Sequence, residues 1–179
     1  MFYARPLSLF SLVVLTASCT AESATEPFAS PNLSFNQLGK SAVTRPAGGT
    51  CAVTALAVPP YPFSPPLFEP VAHLEIQGVC NLKHMGRATL VSSEVVNFFT
   101  GVVTNTATWT AANGDQIMSQ FLGSGTTDGV DAVFAGVITY VSGTGRFQGV
   151  SGTVNNEGNS HATGLTGVGE YRMNGTITY

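Results

Sequence analysis

The 179-residue chain is 44% hydrophobic and only 9% charged, with twenty Gly, ten Pro and a formal charge of −3. That length amounts to one domain and excludes long multidomain organisation. The mild acidity lacks the basic stripe that phosphate contacts need, so nucleic acid is not expected as a partner, and high hydrophobicity with low charge argues against disorder throughout.

Residues 1–18 read as an export signal: Arg5, then the apolar run Leu7–Leu15, then small residues up to Cys19. The run is too short for the ~20 residues of a spanning helix. The junction Leu15-Thr16-Ala17-Ser18-Cys19 resembles the bacterial lipobox, with Thr16 where Leu is usual. The expectation is a lipoprotein of the bacterial cell envelope, touching the membrane only through a lipid on Cys19; ordinary secretion is the alternative. Three Cys leave one over in an exported protein, and lipidation of Cys19 removes the oddness. Cys51 and Cys80 are then expected to pair as a disulfide, the alternative being two buried free thiols. His73, His84 and His161 show no ligand spacing, so neither metal nor cofactor is expected.

Residues 19–49 are rich in Ala, Ser, Thr, Pro and Asn without periodicity and read as a flexible, lipid-anchored linker. The domain is placed at residues 50–179. Six of the ten prolines fall within Pro59–Pro70, which excludes a helix or a central strand there. Because this segment also carries Tyr61, Phe63, Leu67 and Phe68, it is expected to pack as an extended arm across an opening.

Beyond residue 70 helical periodicity is absent, Thr, Val and aromatics alternate, and fifteen of the twenty Gly follow residue 100. Strands are expected near 50–58, 71–80, 86–98, 102–112, 115–123, 131–142, 145–154, 158–165 and 168–179. Asn113-Gly114 marks a hairpin. In the last strand Tyr171, Met173, Ile177 and Tyr179 oppose Glu170, Arg172, Asn174, Thr176 and Thr178. Strand 131–141 is apolar on both faces, so the set Val133, Val137 and Val141 calls for a cover, either the arm or further copies in a homotrimer. Short serial strands with Gly at the corners suit an all-β fold, a small closed antiparallel up-and-down barrel of about eight strands. A β-sandwich is the alternative. An outer-membrane barrel is a further alternative, because an alternating strand ends on aromatic Tyr179, though the tether and the wet Thr, Glu and Arg face of several strands suit an anchored soluble domain better.

The segment Tyr140–Gly152, with its run Gly143-Thr144-Gly145-Arg146-Phe147, resembles the turn-and-strand segment of the allene oxide cyclase and dirigent barrel superfamily. Lys83–Thr89 also looks like the strand entry of bacterial secreted relatives. The resemblance covers residues 50–179 at the level of pattern. It implies an eight-stranded barrel, in some members trimeric, with an apolar cavity for a lipid-like or phenolic ligand. It transfers no catalytic residue.

The run is no phosphate loop, since it lacks the Lys-Ser/Thr ending, and no Gly-x-Ser-x-Gly elbow appears. Glu94 is the one weak catalytic candidate: in phase with Ala88, Leu90 and Ser92 it would face the interior with a raised pKa, whereas a bulge after Ser92-Ser93 would return it to solvent. His73 and Glu75 share a polar face and read as a solvated pair, and His84 and His161 read as surface positions. Trp109, Phe134, Tyr140, Phe147 and Tyr171 are candidate core or cavity-lining residues. The expected function is binding of an apolar or aromatic small molecule without covalent chemistry. A cofactor-free cyclase or isomerase and a structural envelope protein are the alternatives.

Overall fold

Period-two alternation over Thr- and Val-rich segments buries one face of each strand and leaves the other wet, and eight such segments form the wall of a barrel. The structure is a computed structural model and describes residues 41–62 and 70–179; the segment expected to be an export signal, Cys19 with the expected linker up to residue 40, and residues 63–69 of the Pro-rich segment lie outside the described residues. In chain order the strands are β1 (Thr44–Val58), β2 (Val71–Leu82), β3 (Gly86–Asn97), β4 (Val102–Ala111), β5 (Gln116–Thr127), β6 (Asp131–Gly143), β7 (Thr153–Thr163) and β8 (Thr166–Thr178). Each pairs antiparallel with its chain neighbour, and β1 pairs with β8 to close the sheet.

The closed eight-stranded barrel matches the expectation, but two boundaries differ. Strand β1 begins at Thr44, inside the segment expected to be linker, because Thr44–Gly49 is needed to complete the seam with the end of β8. The expected strands 145–154 and 158–165 are instead a 3₁₀ turn at Gly145–Phe147, a short connection, and the single strand β7. Gly145 has φ +54°, and a Cβ there would collide with the Asp115 carboxylate. The chain therefore turns at this point instead of extending. The Asn113-Gly114 hairpin forms as expected, with Gly114 at φ +87° and its N–H donating to Ala111.

The connections after β2, β4 and β6 gather at one end of the barrel, and that end is closed by side chains. Phe147 is fully buried there, edge-on to Tyr179 at 5.1 Å and to His84 at 6.4 Å, with the Arg146 guanidinium 4.7 Å from its centroid. The connections after β3, β5 and β7 lie at the opposite end, as do the end of β1 at Val58 and the start of β2 at Val71.

The last strand faces as expected, with Tyr171, Met173 and Ile177 buried. In β6, Ile138 and Tyr140 are buried inside while Val133, Val137 and Val141 stand on the outer wall at 58%, 41% and 54% exposure. Glu75, Glu157, Glu170 and Arg172 project outward from strand positions where a bilayer-facing wall would be apolar.

Cys51 and Cys80 are directly opposed across β1 and β2 and form the expected disulfide, with both side chains buried. The bridge closes a loop over a sequence separation of 29 that contains the Pro-rich segment. Replacing both with Ala should lower the denaturant midpoint by the equivalent of about 3 kcal/mol while leaving the β-sheet spectrum unchanged, because the ladder persists and only the restriction of the unfolded chain is lost. An unchanged midpoint would count against this account.

Candidate functional site

The inner wall between β3 and β8 carries the barrel's polar cluster. The β2–β3 register runs without interruption through Ile76↔Ser92, Glu75↔Ser93 and Leu74↔Glu94. No bulge intervenes, so Glu94 keeps the phase of Ala88, Leu90 and Ser92 and points inward. Opposite it on β4, Asn105 continues the inward phase of Ala107 and Trp109. Its Nδ2 donates to Ser92 Oγ at 3.0 Å and to Glu94 Oε2 at 3.4 Å. Deeper in the barrel the Trp109 indole N–H donates to Ser119 Oγ at 2.7 Å.

The far side of the cluster is aromatic. Phe134 sits edge-on to Tyr171 at 5.2 Å and to Phe121 at 6.2 Å. These rings fit because the strands beneath them carry glycine: a Cβ at Gly136 or Gly123 would strike the Phe121 ring, and one at Gly158 would strike Phe134. The late-chain glycines thus serve as floor for aromatic side chains as well as turns. Between the aromatic and polar sides remains a cavity of about 20 Å³, lined by Ser92, Glu94, Asn105, Phe134, Asn156 and Tyr171 among others. That is room for roughly one water molecule. Asn156 is only 5% exposed, and its Oδ1 has no hydrogen-bond partner among the described residues.

Burial pushes the Glu94 carboxyl up to about 7, against a smaller downward pull from the Asn105 hydrogen bond. Tyr171 is pushed up by burial and, secondarily, by the charge of Glu94. Near neutrality Glu94 can therefore give or take a proton, as general acid–base chemistry requires.

Of the five aromatic residues expected to line a cavity, the structure brings together Trp109, Phe134 and Tyr171. Tyr140 and Phe147 belong to the plug at the closed end, where their rings lie 6.2 and 6.4 Å from the His84 ring. His84 is not a surface residue: both ring nitrogens are buried and unpartnered among the described residues. Burial, aided by the Arg146 charge, lowers its pKa to about 4. His161 does lie on the surface, with Nδ1 2.7 Å from Asp131 Oδ1. His73 and Glu75 face outward as expected. Ser92, Asn105, Phe121 and Asn156 were not anticipated as site residues. Among the described residues no group of three or more His, Cys, Asp or Glu is placed to hold a metal.

Comparison of the chain with family models, with curated proteins and with solved structures returns no match. The resemblance carried by Gly143–Phe147 therefore stands on those residues alone, and the site is interpreted from its own geometry.

Two buried groups with opposite shifts give a testable pH profile. Glu94, with a folded pKa above its unfolded value, stabilises below about 4.5 and loses that contribution as pH rises through 7. His84, with a folded pKa below its unfolded value, stabilises above 6.5 and loses that contribution as pH falls through 4. Between these limits the folded chain holds an extra proton at Glu94 and lacks one at His84, so the two slopes cancel. Denaturation of the wild type should be nearly flat between pH 4.5 and 6.5 as far as these groups govern it. Glu94→Gln should become more stable with rising pH across that window, and His84→Phe less stable. Parallel profiles for the three proteins would contradict the assignment.

Proposed function

We propose that this chain is a small-molecule-binding barrel whose ligand enters at the end bearing Glu94. A polar head group occupies the cavity among Glu94, Asn105 and Asn156, while an apolar or aromatic body lies against the partly exposed Phe134 ring. The observation that carries the reading is the buried, unpartnered Oδ1 of Asn156, a residue that lines a cavity of water size. A packing role alone would favour an apolar side chain there, because an unsatisfied buried acceptor costs about 1–3 kcal/mol. The small cavity narrows the earlier expectation: a head group fits, whereas a whole lipid-like molecule would have to displace the Phe134 cluster.

Trp109, the chain's one tryptophan, lines the cavity and reports on it. Phenol, benzyl alcohol or benzylamine should quench its fluorescence saturably. Asn156→Leu should abolish that response while holding or raising the unfolding midpoint, since it replaces an unpaired amide with an apolar group of similar size. If none of the three compounds gives a saturable response in the wild type, or if Asn156→Leu responds unaltered, the reading fails.

A second reading, a cofactor-free cyclase or isomerase of the kind the resembled superfamily contains, draws support from Glu94 alone. A carboxyl held near neutrality beside the Tyr171 hydroxyl can serve a proton shift within one substrate without a cofactor.

We further infer that the protein is exported and anchored at the bacterial cell envelope through Cys19, and that copies associate through the exposed Val133, Val137 and Val141 wall, as a homotrimer. The lipobox-like junction supports the first and the uncovered apolar stripe the second. Cys19→Ser should shift the protein from the membrane to the soluble fraction, where light scattering reads its association state. A wild type already soluble and without acyl mass would refute the anchor, and a monomer at high micromolar concentration would refute the self-association.

A further inference from the structure

The hydrogen-bond inventory of the cavity says which head group it takes. Asn105 Nδ2 is committed to Ser92 and Glu94, and the Trp109 N–H is committed to Ser119. Asn156 Oδ1 has no donor, and the Glu94 carboxyl receives only the long 3.4 Å contact from Asn105. The lining holds no Lys, Arg or His, so nothing there balances a negative charge. Across from Glu94 the rings of Phe134, Phe121 and Tyr171 close the space.

Glu94, the one ionisable carboxyl of the lining, thus borders a water-sized space walled by aromatic rings, with no cation there to pair it. A carboxylate or phosphate would meet the Glu94 and Asn156 oxygens and exceed the cavity of about 20 Å³. A hydroxyl fits in size but donates one hydrogen bond. A primary ammonium has the same size, donates three, neutralises a carboxylate and is attracted by aromatic faces.

We propose that the site selects a primary aromatic or aliphatic amine, its ammonium group placed between the Glu94 carboxylate and Asn156 Oδ1. This rests on the pocket reading above and adds the charge of the ligand. It carries a linkage: the ammonium pairs with ionised Glu94, so binding expels the proton that Glu94 otherwise holds near neutrality. The titratable group facing Glu94 from the surrounding strands is Tyr171 on β8; β2, β4, β5, β6 and β7 contribute Leu74, Asn105, Phe121, Phe134 and Asn156. With Tyr171 pushed further up and out of range, the linked proton belongs to Glu94.

The test compares benzylamine with benzyl alcohol on the full chain, following Trp109 fluorescence at pH 6 and pH 8. Benzylamine stays protonated over that range. Its affinity should rise about tenfold from pH 6 to pH 8, as Glu94 passes from mostly protonated to mostly ionised, while benzyl alcohol should bind more weakly and without that rise. Glu94→Gln, nearly isosteric, should remove the pH dependence and bring the amine down to the alcohol's level, with folding checked by its unfolding midpoint. If the alcohol binds as tightly as the amine, or the amine's affinity is flat with pH in the wild type, the ammonium assignment is overturned while the pocket stands. If neither compound binds while phenol does, the ammonium assignment falls and the pocket stands; if phenol fails as well, the pocket reading falls and takes this inference with it.

Discussion

The seam between β1 and β8 is the constraint on which the rest of the molecule depends. It runs from Thr44↔Thr178 to Leu56↔Thr166, joining the ends of the described barrel. Without it the sheet would present two long edges with unpaired N–H and C=O groups, and the inward face of every strand would lose its enclosure. Closure also explains why residues 44–49, with little apolar signal of their own, adopt strand geometry: the end of β8 offers a full ladder, and pairing to it supplies the order that propensity does not. Gly48 and Gly49 belong to that contact, since a Cβ at either would press on the backbone of the adjoining strand, Met173 for the first and Asn81 for the second.

Once closed, the barrel has a fixed interior to fill, and its two ends fill it differently. At the plugged end Phe147, Ile117, Ile177 and Cys80 are buried almost completely. At the other, Phe121 and Phe134 are laid over glycine positions of β5, β6 and β7, and the facing strands supply Ser92, Glu94 and Asn105 instead of apolar volume. Bulky rings set against short polar chains leave a gap of water size instead of a dry, close-packed layer. The cavity is therefore a product of side-chain choice on a regular wall.

Much of this was legible in the alternation of residues. The inward sets of β2, β4 and β8 were readable because apolar and polar residues alternate cleanly there, whereas at Glu94 the sequence favours a bulge after Ser92-Ser93 and a solvent-facing carboxyl, and the unbroken register instead carries the phase of Ala88, Leu90 and Ser92 on to it. The same phase run backwards from Trp109 through Ala107 reaches Asn105, so that residue had a signal which its polar character masked. Asn156 had none, because the stretch around it was divided into two strands with a turn near 155–157, whereas the Gly145 turn comes earlier and Thr153–Thr163 is one strand. A polar residue in the middle of a Gly- and Asn-rich strand looks like a loop residue until its ladder partners are known. The burial of His84 was illegible for a related reason: it lies in a connection between strands, and only the inward fold of the Phe147 turn covers it.

The site and the plug place opposite electrostatic costs in one small barrel. Glu94 is destabilised in its charged form by burial and His84 likewise, so near neutral pH the interior tends towards electrical neutrality at both ends. For His84 the neutral imidazole sits among rings, and Phe or Leu would meet the same packing need with less penalty for buried nitrogens. For Glu94 the comparison is sharper, since Gln would keep the Asn105 contact and remove the ionisation cost altogether. A carboxyl retained at a position where an amide would be more stable at neutral pH, beside an amide oxygen left without a partner, departs from what packing selects in two neighbouring residues at once. Such departures, like the two unpartnered ring nitrogens of His84 in the plug, fall where a chain carries strain or serves something other than packing.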